Sequence, residues 1–183
     1  MANSDRSILK QISDKKLLIS PNLQYLRQTG KEKYQMEFVK IIDSDKTKYM
    51  DLLLIADEQA DMIEKYLYRG EMFALRDDNE IKAVCIVTQE QPGIYEIKNI
   101  AVVPQYQRKG YGRKLISFIA DYCKNGAELY VGTGDTPATL HFYEKCGFEK
   151  SHVVKNFFTD NYDHPIYENG QQLMDMIYLK RKL

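Results

Sequence analysis

The amino-acid sequence predicts an α+β domain in which helices flank a mixed β-sheet. Strand-like segments with alternating apolar residues lie between segments whose apolar residues recur about every three to four positions, as they do on one face of a helix. Turn signals, Asp77-Asp78-Asn79 and Pro92-Gly93 among them, separate neighbouring strands. The chain of 183 residues suits one domain with a substantial core, and we assign that domain to residues 35–183.

The elements of this domain begin or end at recognisable signals. Asp43 or Ser44 is placed to cap the first helix. Pro104 ends the long strand, and Gly126 and Gly147 stop the last two helices. In chain order the predicted elements are a strand at 35–42, helices at 43–56 and 57–68, strands at 71–76, 81–89 and 94–103, a helix at 110–125, a strand at 128–132, a helix at 136–146, and a closing strand pair at 148–155 and 173–180.

Two segments stand outside this pattern. Residues 1–34 are polar and basic, with a short apolar face that predicts a helix over 4–12. We expect them to form a leader of unknown role, and a remnant of a winged-helix regulatory module is the alternative. Residues 156–172 are rich in aromatic and acidic side chains, and long connections in compact domains often carry function.

The composition argues against several classes of protein. Lys plus Arg and Asp plus Glu each number 26, so the formal net charge is zero, which disfavours binding nucleic acid or an anionic membrane through bulk charge. No signal peptide and no apolar run of about 20 residues is visible. The three cysteines have no paired spacing, so they predict neither disulfides nor a metal site. We expect a cytoplasmic protein without a metal, monomeric or homodimeric, with reduced cysteines.

The most informative segment, residues 99–115, joins the end of the long strand to the start of the next helix. Gly110 and Gly112 leave backbone N–H groups open to close approach by a ligand. The first turn of a helix carries unpaired N–H donors and a partial positive charge, and therefore binds phosphate groups. The glycines alone would also fit a helix start that packs tightly on a sheet. The segment lacks the Gly-Lys-Ser/Thr of a P-loop and the third glycine of a dinucleotide-binding fingerprint.

Two motifs in the sequence resemble those of the GNAT acetyltransferase superfamily. Gln107-Arg108-Lys109-Gly110-Tyr111-Gly112 matches the family's Q/R-x-x-G-x-G/A motif, which grips the pyrophosphate of coenzyme A, and residues 142–148 resemble its second signature, FYEKxGF. The motifs stand in the family's order, with a helix, a strand and the start of a second helix between them. The resemblance covers roughly residues 36–179 and implies a mixed, mostly antiparallel sheet of about six to seven strands and an acetyl-CoA-dependent N-acetyltransferase.

The resemblance also implies where acetyl-CoA binds. Its pantetheine arm would bond the backbone at the end of strand 94–103 like an added strand, with a backbone N–H near the thioester oxygen. Thr136 stands where many relatives have an asparagine, a departure that affects one cofactor contact. The residues implied to bind the cofactor are Ile100, Ala101, Val102, Gln107, Arg108, Lys109, Gly110, Tyr111, Gly112, Arg113, Thr136 and Tyr143.

Acetyl transfer needs groups that move protons. An amine with a pKa of about 10.4 must lose a proton before it attacks a thioester, and the departing thiolate benefits from a proton donor. Glu96 stands where the histone-acetyltransferase branch of the family carries its catalytic base. A surface glutamate, with an ordered water as the base, is the alternative. Tyr143 is the candidate acid, as in related enzymes, and a core tyrosine on an amphipathic helix is the alternative.

Asn99, Tyr162 and His164 are the candidate substrate residues. Asn99 lies on the same strand as Glu96, and Tyr162 and His164 belong to an aromatic and acidic stretch that suits a cationic amine. A long aromatic insertion tends to close a pocket, which favours a primary amine of a small molecule, attacked directly in a ternary complex. A protein or peptide amine and a non-catalytic acetyl-CoA-binding regulatory module are the alternatives.

Overall fold

The structure is a computed structural model that describes residues 36–183. The leader, the short helix and the winged-helix alternative predicted for residues 1–34 lie outside this range. The strands are β1 (Glu37–Ile41), β2 (Glu71–Asp77), β3 (Glu80–Gln91), β4 (Ile94–Val102), β5 (Glu128–Gly134), β6 (Glu149–Val154), β7 (Tyr167–Glu168), β8 (Gln171–Gln172) and β9 (Met176–Lys182).

One sheet of seven strands has the order β1-β2-β3-β4-β5-β9-β6, and β7 and β8 form a small hairpin of their own. β4 and β5 run parallel, and every other neighbouring pair in the seven-stranded sheet is antiparallel. The prediction of a mixed, mostly antiparallel sheet is therefore confirmed. Because β4 and β5 are parallel, their carboxyl ends meet at the same edge of the sheet, where ligands commonly bind.

Five α-helices accompany these strands in the described part of the chain. α3 follows β4 and α4 follows β5, while α1 and α2 lie between β1 and β2. No helix within residues 36–183 is long and apolar enough to cross a membrane. The helices are α1 (Met50–Leu53), α2 (Ala60–Leu67), α3 (Tyr111–Tyr122), α4 (Pro137–Lys145) and α5 (Phe157–Asn161).

The first predicted helix differs from the prediction. Residues 43–49 form a 3-10 helix whose N-cap is Ile42, so neither Asp43 nor Ser44 caps it, and the α-helical part is only α1. Ion pairs three residues apart, Asp43 with Lys46 and Asp45 with Lys48, suit the three-residue turn of a 3-10 helix. The second predicted helix also starts late, at Ala60 rather than Asp57, which leaves the Asp57 side chain free for another role.

The sheet buries an apolar core on each face. Leu115, Ile116 and Ile119 of α3, with Leu140 and Tyr143 of α4, pack on one face, hereafter the α3/α4 face. On the opposite face, hereafter the α1/α2 face, the core is formed by residues from α1, α2 and strands β2 to β4, namely Leu53, Ile63, Leu67, Met72, Ala74, Val84, Ile86 and Ala101. All three cysteines are free and buried.

Lys46 fastens the 3-10 helix to the end of α2. Its side chain is only 2% exposed, and its ammonium group donates to the carbonyl oxygens of Leu67 and Gly70 at 2.9 and 2.5 Å. Asp43 supplies the compensating charge at 2.7 Å. All three ammonium protons therefore have acceptors, which is what a buried lysine requires.

Replacing Lys46 with Met should lower the free energy of unfolding by roughly 2–4 kcal/mol, because two buried carbonyl oxygens would lose their donor. Urea unfolding of Lys46→Met measures this change. Lys48→Met is the matched control, because Lys48 is largely exposed and its partner Asp45 is also accessible, so its loss should cost less than about 1 kcal/mol. Equal losses in the two variants would contradict the role assigned to Lys46.

Candidate functional site

A bulge in β4 determines which side chains face the site. Ile86 of β3 pairs with Asn99, but the next residue, Val87, pairs with Ile97, so Lys98 is an extra residue in β4. Side chains of a regular strand alternate between faces, so residues three apart point to opposite sides. The extra residue shifts this alternation and brings Glu96 and Asn99 onto the same α1/α2 face.

Beyond the bulge, β4 and β5 separate. Their parallel pairing ends at Ile97 and Val131. From there to Val102, β4 pairs only with β3, and residues 132–134 of β5 pair only with β9. Within the described residues, the backbone of residues 98–102 thus has no strand partner on its β5 side. An extended ligand with amide groups could pair with this free edge, as an added strand does.

Glu96 is buried on the α1/α2 face and is held by two partners. Lys98 donates to its carboxylate at 2.8 Å, and the Tyr178 hydroxyl donates to the same oxygen at 3.3 Å. Tyr178 can reach it because β5 carries Gly132 opposite this tyrosine: a Cβ there would lie 3.2 Å from the Tyr178 ring. Burial and then the Glu96 charge raise the pKa of Tyr178, so its hydroxyl stays a donor.

Asn99 belongs to a second polar network on the same face. Its side-chain amide donates to the Leu53 carbonyl oxygen and to the Tyr66 hydroxyl, both at 3.1 Å. Tyr66 in turn donates to Asp57 at 2.9 Å, and Tyr162 donates to the other oxygen of the same carboxylate at 2.9 Å. The network connects β4, α2, the loop before α2 and the segment after β6.

The Asn99 side-chain oxygen is buried and has no hydrogen-bond partner within the described residues. The side chain as a whole is 4% exposed. Its amide orientation follows from the network, because the Leu53 carbonyl accepts only and must face the nitrogen. A buried acceptor without a donor is costly and usually marks a place where a ligand or water binds.

The start of α3 has the geometry of a phosphate-binding turn. Gly110, the N-cap of α3, has a left-handed backbone with φ of +87°, and no atom lies within 4 Å of a Cβ placed on it. Arg108 is also left-handed, at φ +63°, although a side chain disfavours this conformation. Gly112 packs α3 close to its neighbours: a Cβ there would lie 3.4 Å from Val102 and 3.3 Å from Phe142. The first-turn N–H groups therefore open beside the end of β4.

Helix α4 carries the remaining predicted residues. Thr136 is its N-cap and 2% exposed, yet its hydroxyl makes no capping bond and has no partner within residues 36–183. Tyr143 is 6% exposed and lies in the core of the α3/α4 face, near Cys85, which pairs with Ile100 of β4. Burial raises the pKa of Tyr143, so its hydroxyl keeps its proton.

The segment from 156 to 175 closes over one side of the site, in the place of the long loop predicted at 156–172. It contains α5 and the β7–β8 hairpin, and buries Phe158, Ile166 and Leu173 in a small core of its own. Tyr162 joins it to Asp57, and the Asp163 backbone N–H donates to the Gln59 side chain at 3.0 Å. The segment therefore bridges to the loop before α2.

The structure brings some predicted residues together and separates one. Glu96 and Asn99 share a face, and Tyr162 reaches the Asn99 network through Asp57 and Tyr66. His164 lies apart on the surface, where it pairs with its neighbour Asp163.

Sequence reasoning missed four residues of the site, namely Asp57, Tyr66, Lys98 and Tyr178. An acidic residue at the start of a predicted helix and a tyrosine on the same helix give no local signal of a shared site. The contact between Tyr162 and Asp57 joins residues 105 positions apart.

Comparison with known proteins agrees with this arrangement. Residues 68–150 match the family model described as acetyltransferase (GNAT) domain. The chain is 38% identical over 132 residues to an uncharacterized N-acetyltransferase of Bacillus subtilis, a match that covers 70% of this chain and 85% of that protein.

Two solved structures are also similar to the chain. A GNAT family acetyltransferase from Elizabethkingia anophelis with acetyl-CoA bound has a TM-score of 0.77 and 35% identity, over 84% of this chain and 100% of that one. A Bacillus subtilis acetyltransferase in complex with CoA has a TM-score of 0.72 and 33% identity, over 82% of this chain and 99% of that one.

Proposed function

The chain belongs to the GNAT acetyltransferase family, and we propose that it transfers the acetyl group of acetyl-CoA to a primary amine of a small molecule by direct attack in a ternary complex. The observation that carries this proposal is the separation of β4 from β5 beside the glycine-capped start of α3. These two features fit the two ends of one ligand, an amide-containing arm and a diphosphate. The three free buried cysteines support a cytoplasmic location.

The arm of acetyl-CoA would bind along the free edge of β4. Residues 100–102 lie beyond the bulge, where β4 has no strand partner on its β5 side within the described residues. Two amide groups of the pantetheine arm can exchange hydrogen bonds with such an edge. The thioester would then lie near the point where the two strands separate. The residues assigned to this contact are Ile100, Ala101 and Val102.

The diphosphate would bind at the start of α3. The backbone N–H groups there carry the positive end of the helix dipole, and exposed Arg and Lys side chains add full charges. The unpartnered hydroxyl of Thr136 supports a further contact at the start of α4. The residues assigned to this part of the site are Gln107, Arg108, Lys109, Gly110, Tyr111, Gly112, Arg113 and Thr136.

The reaction requires that the acceptor nitrogen lose two protons and that the sulfur of CoA gain one. We assign the first transfer to Glu96, which takes a proton from the acceptor ammonium directly or through an ordered water. The neutral amine then attacks the thioester carbonyl, and as the carbon–sulfur bond breaks the nitrogen gives its second proton to water. Tyr143 donates its proton to the departing thiolate and regains one from water. Tyr143 lies near Cys85, the strand partner of Ile100, on the edge assigned to the pantetheine arm.

The acceptor side favours a small molecule. The segment from 156 to 175 is fastened across the α1/α2 face through Tyr162 and Asp163, which narrows the approach to Asn99. A peptide acceptor needs an open groove instead. We assign Asn99 and Tyr162 to acceptor binding. His164 lies apart on the surface beside Asp163, and its role in binding the acceptor stays a prediction.

The release of free CoA tests the proposed reaction. With acetyl-CoA present, a panel of small primary amines should yield free thiol, and peptides with a free lysine or N-terminal amine should yield less. Tight binding of acetyl-CoA without turnover of any amine would instead indicate a non-catalytic regulatory module.

Gly110→Ala should weaken acetyl-CoA binding by on the order of tenfold or more, since a methyl group would stand where the phosphates approach. Calorimetry measures the affinity. Gly93→Ala is the matched control, because Gly93 is also left-handed, at φ +79°, but lies in the turn between β3 and β4. Each variant should lose about 1–2 kcal/mol of stability. An unchanged affinity in Gly110→Ala would contradict the assigned phosphate site.

Tyr143→Phe should lower turnover by roughly a hundredfold and leave acetyl-CoA affinity nearly unchanged, because only the proton donor is lost. Since burial raises the pKa of Tyr143, the tyrosine stays protonated at neutral pH. The ratio of turnover in the variant to turnover in the unmodified protein should therefore be the same from about pH 6 to 9. Tyr167→Phe, at an exposed position, is the control. Normal turnover in Tyr143→Phe would show that another group protonates the thiolate.

Glu96→Gln should lower turnover by roughly a hundredfold, because the group that takes the proton from the acceptor ammonium is lost. The remaining rate should rise as the free amine deprotonates, near its pKa of about 10.4. Glu37→Gln makes the same change on β1, where Glu37 pairs with Arg76, and should keep normal turnover. Normal turnover in Glu96→Gln would assign the base to water alone.

A further inference from the structure

We propose that Asp57, with Tyr66, Asn99 and Tyr162, binds a second, non-reacting ammonium group of the acceptor, which makes the acceptor a small diamine or polyamine. This inference rests on the proposed acetyl transfer and specifies its acceptor. It follows from the direction of each hydrogen bond in the network, from its charge and from its position relative to Glu96.

The hydrogen bonds of the network leave only acceptors free. Tyr66 and Tyr162 each use their single proton to donate to Asp57, and Asn99 uses its amide protons on Leu53 and Tyr66. Burial, and then the Asp57 charge, raise the pKa of both tyrosines, so both stay donors to the carboxylate. The groups that can still form hydrogen bonds are all acceptors. They are the lone pairs of the two tyrosine hydroxyls and of the Asp57 carboxylate, and the buried Asn99 oxygen.

The charge of the network is negative and uncompensated. Within residues 36–183, Asp57 forms no ion pair, and both of its hydrogen-bond donors are neutral hydroxyls. The carboxylates of Asp61 and Glu58 lie near Tyr162 and add charge of the same sign. A partly buried carboxylate surrounded by acceptors favours a ligand that is cationic and carries only donors. An alkylammonium group has both properties.

The network is separate from the proposed base. Glu96 already has a cationic partner in Lys98, and neither of its side-chain partners, Lys98 and Tyr178, belongs to the Asp57 network. The two carboxylates therefore lie on the same face in different hydrogen-bond groups. A diamine can place its reacting nitrogen near Glu96 and its other nitrogen at Asp57. Asn99 belongs to β4, as Glu96 does, and its amide nitrogen belongs to the Asp57 network through Tyr66.

The test compares a four-carbon diamine with the matching four-carbon monoamine and amino alcohol as acceptors. In the unmodified protein, kcat/KM should be at least about tenfold higher for the diamine, because only the diamine carries a second donor-only cation. Asp57→Asn should reduce this preference to about twofold or less. A series of longer diamines and a triamine would identify the preferred spacing of the two charges.

Glu58→Gln is the matched control, because it removes one negative charge at the neighbouring, exposed position and should keep most of the preference. Acetyl-CoA affinity and the thermal midpoint should be normal in Asp57→Asn, which separates lost selectivity from misfolding. If Asp57→Asn does not fold, Tyr162→Phe, which removes one donor from the carboxylate, should reduce the preference partly.

Equal kcat/KM for diamine and monoamine, or a preference that survives in Asp57→Asn, would overturn this inference while leaving amine acetylation intact. Turnover of none of the three amines, with acetyl-CoA bound, would count against both this inference and the proposed function. Loss of selectivity in Glu58→Gln as large as in Asp57→Asn would mean that general surface charge, and not the network, selects the acceptor.

Discussion

The candidate site depends on one irregularity, the extra residue Lys98 in β4. The bulge turns Asn99 onto the face that already carries Glu96, and it coincides with the point at which β4 and β5 stop pairing. A regular strand would place Asn99 in the core of the other face and leave no free edge in the middle of the sheet. Lys98 itself supplies the cation that holds Glu96. One local feature thus creates both the edge and the polar face.

The two substrates would approach this opening from opposite faces of the sheet. The turn that we propose binds the diphosphate belongs to α3, which packs on the α3/α4 face, whereas the Asp57 network lies on the α1/α2 face. The gap between β4 and β5 connects the two faces of the sheet. The segment from 156 to 175 is joined to the loop before α2 through Tyr162 and Asp163 and to the start of α4 through Glu168 and Gln171, and it leaves the start of α3 exposed.

Local patterns were sufficient for most of the fold. The alternation of apolar and polar residues, together with the turn residues, predicted the strands closely. The predicted tight turn is present at Asp78 and Asn79, which both have a left-handed backbone. The glycine-started helix and the order of elements also followed from short-range signals. The prediction of an α-helix over residues 43–56 was wrong, because ion pairs and the contacts of Lys46 with the end of α2 favour a tighter turn there. The residues in those contacts are more than 20 positions apart, so the spacing of apolar residues within a helix cannot reveal them.

The site was less predictable because its contacts are long-range. Gly110 and Gly112 carry a local signature, but the bulge at Lys98 depends on how β3 pairs with β4 and leaves no trace in the sequence pattern. The side chain of Asp57 reaches Tyr66 and Tyr162 from a loop, because the second helix starts at Ala60, three residues later than the sequence predicted. Amide hydrogen exchange with and without acetyl-CoA tests the central claim most directly. Among residues 98–102, the amides that point to the β5 side should gain protection when acetyl-CoA binds, while residues 94–97, paired on both sides already, should not change. Binding of acetyl-CoA without added protection at 98–102 would contradict the account.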